Sequence, residues 1–294
     1  MHDKQLVPII IAVAIFIFFA HISSSHRQIP APRSAATEVA VSSTSATATT
    51  NNRPKDTQEL ALELPDSSLP FCRGLNSEKE IALSFDACPT SGSNHFNKVI
   101  ANTLIETRTP ATIFLSGRWV EEDSAATRLL ASDSLIELGN HSFTHPHMTG
   151  LTPEKMKQQL ERTQKIIADL TGKTPFLFRA PYGEYNDTLV KVAKALGLAT
   201  VQFSVESGDP DTSFTADRLI AWVTKEAKNG SIVIMHINNR GWHTAQALPT
   251  IIADLREKGY RLVKVSDLMK GVSEANTGTK LTHSDQKESP RLNQ

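Results

Sequence analysis

The sequence lacks any excess of charge of one sign. Lysine and arginine together number 31, aspartate and glutamate also number 31, and the formal net charge of the 294 residues is +0. No basic stripe of the kind that marks nucleic-acid-binding domains is visible. We therefore expect no nucleic-acid partner, and no long-range electrostatic steering of a highly charged substrate.

Charged residues are also missing from a run near the N-terminus, where every residue of Leu6–Ala20 is apolar. A helix needs about 20 apolar residues to span a bilayer, and roughly 17 are tolerated. Ser23 and Ser25 are small residues of the kind found at signal-peptidase sites. We expect residues 1–22 to be a signal peptide or a membrane anchor. The protein would then be exported, to the periplasm or the extracellular face of the cytoplasmic membrane, anchored or secreted.

Large apolar residues are scarce on both sides of the central part of the chain. Residues 23–70 are rich in Ser, Thr and Ala, and residues 273–294 are mostly polar. Segments of this composition cannot bury enough apolar surface to offset the entropy lost on ordering. We expect a disordered linker over 23–70, one globular domain over 71–272, and a disordered tail over 273–294.

Within residues 71–272, short apolar runs alternate with segments of helical character. The candidate strands are residues 81–85, 111–115, 135–138, 176–178, 199–203, 231–235 and 261–265. The candidate helices are residues 94–107, 119–131, 153–170, 187–196, 216–228 and 244–257. Such alternation indicates parallel strands joined by crossover helices. An open doubly wound sheet is the main alternative, but the seven strands and the polar motifs favour an α/β fold, a distorted (β/α) barrel of about seven parallel strands.

Polar and ionisable side chains follow the candidate strands where these strands end. These residues are Asp86, His141, His145, Arg179, Glu206, Asp209 and His236. The C-terminal ends of parallel strands converge on one face of such a fold, so we expect one site there. His141 and His145 have a spacing that lets two imidazoles bind one metal ion. No glutamate follows His141, which excludes the usual metalloprotease pattern.

Five segments occur in the order of the motifs of a known family. Ser84–Pro89 is similar to Thr-Phe-Asp-Asp-Gly-Pro, and His141–His145 matches His-Ser/Thr-x-x-His. Arg179–Gly183 and Ile234–His236 match the third and fifth motifs, and Val205–Asp209 is a looser match to the fourth. Over about residues 78–270 the chain thus resembles the polysaccharide deacetylase family, carbohydrate esterase family 4, with its NodB homology domain.

The resemblance implies a metal centre with a general base. His141 and His145 would be metal ligands, and Asp86 would be the base that acts on a metal-activated water. Arg179 would orient the carboxylate of Asp86 through a charge-assisted contact. The metal would be a divalent ion, with zinc favoured and cobalt or manganese as alternatives.

The resemblance also implies how the remaining steps are assisted. The backbone amide of Tyr182 would stabilise the tetrahedral oxyanion. His236 would be the general acid that protonates the leaving sugar amine, and Asp209 would orient His236. Asp211 competes with Asp209 for this role.

The first motif departs from the family pattern. Ala87 stands where the family has a second aspartate, normally the third metal ligand, so two imidazoles, water and another oxygen would hold the metal. Cys88 could in principle bind the metal instead. However, Cys72 and Cys88 are the only cysteines, and disulfides persist in exported proteins. We therefore expect a Cys72–Cys88 disulfide.

The function expected from the resemblance is hydrolytic deacetylation of N-acetylated sugars in an envelope polysaccharide, peptidoglycan or a chitin-like polymer. One alternative is a deacylase acting on an O-acetyl ester or a small amide. Another is a non-catalytic glycan-binding relative that lost its full metal site with Ala87. A polysaccharide substrate and, through the N-terminal segment, a membrane are the expected partners, and no oligomeric state is predicted.

Overall fold

A computed structural model of the protein describes residues 69–75, 77–89 and 96–273. The segment predicted as an anchor or signal peptide, nearly all of the predicted linker and nearly all of the predicted tail lie outside the described residues. All described residues belong to one compact unit, Lys55–Gln294. None of the helices in the described ranges is both long and apolar enough to cross a membrane.

The described residues contain one sheet of eight strands. They are β1 (Glu80–Ala87), β2 (Ala111–Leu115), β3 (Ile136–Asn140), β4 (Leu177–Phe178), β5 (Ala199–Thr200), β6 (Val205–Glu206), β7 (Ser231–His236) and β8 (Arg261–Val263). Their order is β5-β4-β3-β2-β1-β7-β6, and every pairing of strands is parallel. β8 pairs with the first half of β1, and β2 pairs with the second half.

The sheet curls until its two edges approach each other. The edge strands β5 and β6 are joined by residues 201–204 alone. Phe71 pairs with Val201 just after β5, and Arg73 pairs with Ser231 at the start of β7. The segment 71–73 therefore fills the seam between the edges. This confirms the predicted distorted (β/α) barrel.

Helices connect the successive strands other than β5 and β6, and a last helix follows β8. They are α1 (Lys98–Glu106), α2 (Gly117–Glu122), α3 (Ser124–Ser132), α4 (Pro153–Thr171), α5 (Asp187–Ala195), α6 (Ala216–Glu226), α7 (Thr244–Glu257) and a last helix, α8, over residues 265–273. Short polar side chains cap several of them; Thr152, for example, accepts a hydrogen bond from Lys155 N ahead of Pro153. A cap of this kind contributes about 1 kcal/mol.

The central strand β1 is buried along its whole length and separates two packing environments. Ile81, Leu83 and Phe85 pack in the large apolar cluster formed with the surrounding helices. Ala82 packs with residues of the barrel interior. Because side chains alternate along a strand, Asp86 shares the interior side with Ala82, at the C-terminal end of the strand.

Candidate active site

Asp86 and Arg179 form a buried ion pair at the end of β1. Arg179 Nη1 lies 2.9 Å from Asp86 Oδ1, and the two side chains are 0% and 5% exposed. Arg179 Nη2 donates to Ser84 Oγ at 2.8 Å, so the guanidinium binds one carboxylate oxygen and one hydroxyl. Burial would raise the pKa of Asp86, but the charges of His141 and Arg179 lower it below its usual value. The carboxylate is therefore held ionised.

His236 and Asp209 form a second buried pair across the site. His236 is the register partner of Asp86 on the neighbouring strand β7. Its Nδ1 lies 2.9 Å from Asp209 Oδ1, and its backbone N–H donates to Asp209 Oδ2 at 2.6 Å. Thr244 Oγ1 donates to the same Oδ2 at 2.6 Å. Asp209 is thus brought to His236, whereas Asp211 is exposed and accepts from Ser213 N.

The contact with Asp209 decides the charge of His236. Burial alone would lower the pKa of the imidazole, but the carboxylate of Asp209 and its hydrogen bond outweigh this and raise the pKa to about 10. His236 is therefore protonated at neutral pH. With Nδ1–H directed at Asp209, its Nε2–H is the proton left for a substrate.

The loop that carries His141 and His145 follows β3 and is fastened on several sides. Asn140 Oδ1 accepts from Ser142 N at 2.9 Å, and its Nδ2 donates to Leu160 O at 2.9 Å. His141 is buried, and its Nδ1 donates to the carbonyl oxygen of Arg179 at 2.8 Å. This bond fixes the ring and directs Nε2 into the site, where a metal ion would displace its proton. The ring centroids of His141 and His145 are 4.9 Å apart.

The surroundings of Cys88 differ from those predicted from the sequence. Both cysteines are free thiols, Cys72 exposed and Cys88 buried, so the predicted Cys72–Cys88 disulfide is not formed. Cys88 Sγ instead lies 3.6 Å from His141 Nε2. Burial would raise the pKa of this thiol, but the charge of His141 and hydrogen bonds with His141, His145 and His236 lower it well below its usual value.

Cys88, His141 and His145 together fit a metal ion. Their sulfur and nitrogen donor atoms all lie within 4.8 Å of one another. Thiolate and imidazole are common zinc ligands, and the low thiol pKa supplies the deprotonated form that binds metal.

Tyr182 lies in the 3₁₀ turn Pro181–Gly183 at the mouth of the site. Its φ is 60°, and Ser142 and His145 also have positive φ, at 62° and 59°. Left-handed backbone at non-glycine residues is costly and concentrates at functional sites. The Tyr182 ring contacts His145 with centroids 4.7 Å apart and stacks on His147 at 4.1 Å.

These groups surround one cavity of about 190 Å³. Its wall includes Asp86, Cys88, His141, His145, Tyr182, Asp209 and His236. The structure therefore brings together every residue predicted for the site except Cys72, with Arg179 directly behind Asp86. Glu206, also among the ionisable residues at the strand ends, borders the cavity and is exposed.

Several supporting residues were missed by the sequence analysis. Ser84 holds Arg179, Thr244 holds Asp209, and Asn140 and Gln159 hold the histidine loop. A single serine, threonine or amide carries no spacing signal of its own. For Ser84, its place on the same strand face as Asp86 is the one clue the sequence contained.

The family model described as Polysaccharide deacetylase matches residues 73–201. A peptidoglycan-N-acetylglucosamine deacetylase from Bacillus cereus is 31% identical over 198 residues, which cover 67% of this chain and 90% of that protein. The chain belongs to the polysaccharide deacetylase family. This confirms the resemblance and the predicted enzyme class, a hydrolase acting on carbon–nitrogen bonds other than peptide bonds.

Two further relatives show the breadth of the deacetylase family. A bifunctional xylanase/xylan deacetylase from Cellvibrio japonicus is 35% identical over 187 residues, 63% of this chain but 27% of that longer protein. The solved structure of a CE4 family pseudoenzyme from Bacillus anthracis has a TM-score of 0.64 and 30% identity, with 70% of each chain covered. A mutant of that pseudoenzyme is described as having restored enzymatic activity.

Proposed function

We propose that this chain removes acetyl groups from N-acetylated sugars of an envelope polysaccharide, peptidoglycan or a chitin-like polymer, by metal-assisted hydrolysis. One observation carries the proposal: two buried carboxylates, each fixed by its own cationic partner, flank a cavity that also holds a Cys/His donor group. Family membership and the names of the relatives support deacetylation of an acetylated polysaccharide.

Asp86 acts as the general base. Its Oδ1 is taken by Arg179, and its Oδ2 lies 3.5 Å from His141 Nε2, close to the donor group. Oδ2 is therefore the oxygen that accepts a proton from the attacking water. Arg179 touches no substrate in this scheme, and its task is to hold the carboxylate in place and ionised. Proton transfer by a positioned group contributes typically about 10²–10⁴-fold in rate.

His236 acts as the general acid. It is protonated at neutral pH and anchored through Nδ1, so its Nε2–H donates to the nitrogen of the leaving sugar amine. Asp209 keeps the imidazole charged and oriented, and Thr244 in turn holds Asp209. The acid and the base thus stand on neighbouring strands and face the same cavity.

His141 and His145 would hold the divalent metal, zinc by preference, with cobalt or manganese as alternatives. When bound, the metal would polarise the acetamide carbonyl and acidify a water molecule. The backbone amide of Tyr182 would donate to the developing oxyanion. The Tyr182 ring is 53% exposed at the mouth of the cavity, where an aromatic face can pack against a sugar ring.

A non-catalytic glycan-binding role is the second candidate. It is favoured by Ala87, which removes a metal ligand expected for the family, and by the likeness to a pseudoenzyme. The two complete ion pairs weigh against it, because they hold an ionised carboxylate and a protonated imidazole at one cavity, the groups that acid–base catalysis needs.

Acetate release from N-acetylated oligosaccharides and from peptidoglycan tests the proposal. Release should stop with a chelator and return with zinc or cobalt. Asp86→Asn and His236→Ala should each lower turnover by at least about 100-fold. Asp211→Asn changes an exposed aspartate of the same loop as Asp209 and is the matched control, expected to keep its activity. No release by metal-loaded protein from any glycan would favour the binding role. Release from acetylated xylan alone would favour the O-acetyl esterase alternative.

We further propose that the protein works outside the cytoplasm, since the apolar run Leu6–Ala20 fits an anchor or signal peptide. A polysaccharide of the cell envelope would be accessible to a protein located outside the cytoplasm. Cell fractionation tests this. The wild type should be found outside the cytoplasm, and a variant in which several of these apolar residues are replaced by charged ones should stay in the cytoplasm.

A further inference from the structure

Ala87 and Cys88 face different surroundings at the end of β1. Ala87 is fully buried in the apolar cluster that contains Leu83 and Phe85. Cys88 is part of the cavity wall, beside His141 and His145. The position that resembles the family's ligand aspartate thus packs into the core, and the next residue places a donor atom in the site.

We infer that Cys88 replaces the missing carboxylate as the third protein ligand, completing a Cys–His–His centre that selects zinc or cobalt over magnesium and manganese. This inference rests on the proposed metal-assisted function. It goes further by assigning the third ligand and by restricting the class of metal.

The separation of the donor atoms matches a shared metal. For a tetrahedral zinc ion, with bonds of about 2.3 Å to sulfur and 2.0–2.1 Å to nitrogen, the two ligand atoms lie roughly 3.6 Å apart. Cys88 Sγ and His141 Nε2 are 3.6 Å apart. His145 completes the set, with all three donor atoms within 4.8 Å of one another.

The backbone around Cys88 is fixed before any ligand arrives. Asn238 Nδ2 donates to the carbonyl oxygen of Cys88, and Ser116 N donates to the carbonyl oxygen of Ala87. These contacts tie the segment to the chain after β7 and to the chain after β2. They therefore fix the main chain from which the Cys88 side chain extends, and its thiol lies beside His141.

The donor set decides which metals bind well. A thiolate with two imidazoles suits zinc and cobalt, whereas magnesium and manganese prefer carboxylate, carbonyl and water oxygens. Three protein ligands with one open position is also the usual composition of a catalytic zinc site. Asp86 and His236 line the same cavity as these three donors, so a substrate group bound there would meet both.

Cobalt substitution of the full-length protein tests the assignment. A thiolate ligand gives Co²⁺ a sulfur-to-metal charge-transfer band in the near ultraviolet, which imidazole and carboxylate ligands do not. The wild type and Cys72→Ser should bind one equivalent of Co²⁺ and show the band. Cys88→Ser and Cys88→Ala should lose the band and bind zinc at least about tenfold more weakly, since even loss of a supporting contact costs that much. Circular dichroism of the metal-free variants checks that they fold.

The possible outcomes separate this inference from the proposed function. If the charge-transfer band appears but no acetate is released, the assignment of Cys88 as a ligand is supported and the proposed deacetylase activity is contradicted. Metal-dependent release that is equal in the wild type and Cys88→Ser, with no band in either, would overturn the ligand assignment alone. An acetylated Cys88 found by mass spectrometry in active, metal-free protein would also overturn it, since the thiol would then be a nucleophile.

Discussion

The buried ion pair of Arg179 and Asp86 shows how single residues decide this site. The guanidinium is 0% exposed, and its Cζ lies 4.1 Å from the centroid of the Phe114 ring. Neither charge can be solvated if its partner is removed, so each residue stabilises the fold only through the other. The pair therefore fixes the proposed base and would couple catalysis to stability.

Replacing Arg179 by alanine should lower the free energy of unfolding by about 3–5 kcal/mol, because Asp86 would be left as an uncompensated buried charge. Urea denaturation of the metal-free protein measures this. Lys165→Ala is the control, because it breaks an exposed ion pair with Asp169 and should cost at most about 1 kcal/mol. Equal losses in the two variants would contradict the buried-pair explanation.

The ionisable residues that meet at the cavity could be predicted from the sequence, but their immediate supports could not. Asp86 and His236 stand at the ends of apolar runs, where convergence of strand ends makes a site predictable. Ser84 and Thr244 act through one hydrogen bond each and leave no pattern. The error over Cys88 has a different cause: whether a side chain just past a strand faces the site or the surface depends on contacts such as that from Asn238, which are distant in sequence.

Among the elements, the short helix α2 is bonded directly to the histidine loop. Gly117 N donates to Ser142 O at 3.0 Å, and Arg118 N donates to Phe143 O at 2.9 Å. A Cβ added at Gly117 would lie 2.1 Å from Cδ2 of the Phe143 ring. The glycine allows the helix and the loop to approach this closely.

The Gly117→Ala substitution should destabilise the protein by about 1–3 kcal/mol through overpacking. It should also weaken zinc binding, because Phe143 lies between the two proposed histidine ligands and must move. Thermal unfolding and isothermal titration with zinc measure the two effects. Gly150→Ala is the matched control, since a Cβ there meets nothing within 4 Å. Unchanged zinc affinity in Gly117→Ala would show that the loop does not depend on this contact.

Most of the elements were predictable because each is a distinct apolar or amphipathic run. The seven predicted strands are all present. The sheet also contains the two-residue strand β6, which was not predicted because it is too short for any alternation to show. One predicted helix, 119–131, is two helices. At the end of α2 the backbone N–H of Asp123 donates to Trp119 O, and the Asp123 side chain caps the start of α3. Such a break depends on local capping, which the periodicity of apolar residues does not reveal.

Across the whole molecule, the site occupies the ends of the strands, and a second polar network lies near their beginnings. Glu137 of β3 accepts from Thr112 Oγ1 of β2 at 2.7 Å and from Ser266 N of α8 at 3.4 Å. Burial raises the pKa of Glu137 above its usual value, although these hydrogen bonds and Lys264 oppose the shift. The carboxylate joins the barrel to its last helix.

The raised pKa predicts a pH dependence of stability. The folded state holds the Glu137 proton more tightly than the unfolded state, so this residue's contribution falls as pH rises from the ordinary carboxyl range through the folded pKa. Glu137→Gln keeps an acceptor without the charge. Its stability relative to the wild type should therefore increase over that range and then level off.

Denaturant unfolding at a series of pH values measures this difference. Glu161→Gln, a matched change at an exposed ion pair with Lys157, is the control. The same trend in both variants would mean that burial of Glu137 is not its cause.

The seam segment 71–73 has a consequence for where the domain can be cut. The family match begins at residue 73, whereas the backbone of Phe71 donates to Thr200 O and accepts from Gln202 N. A fragment that starts at residue 73 would keep every motif residue, but the backbone groups of Thr200 and Gln202 that pair with Phe71 would lose their partner. Unpaired strand borders recruit other chains, so such a fragment would be prone to aggregate with its chemistry intact.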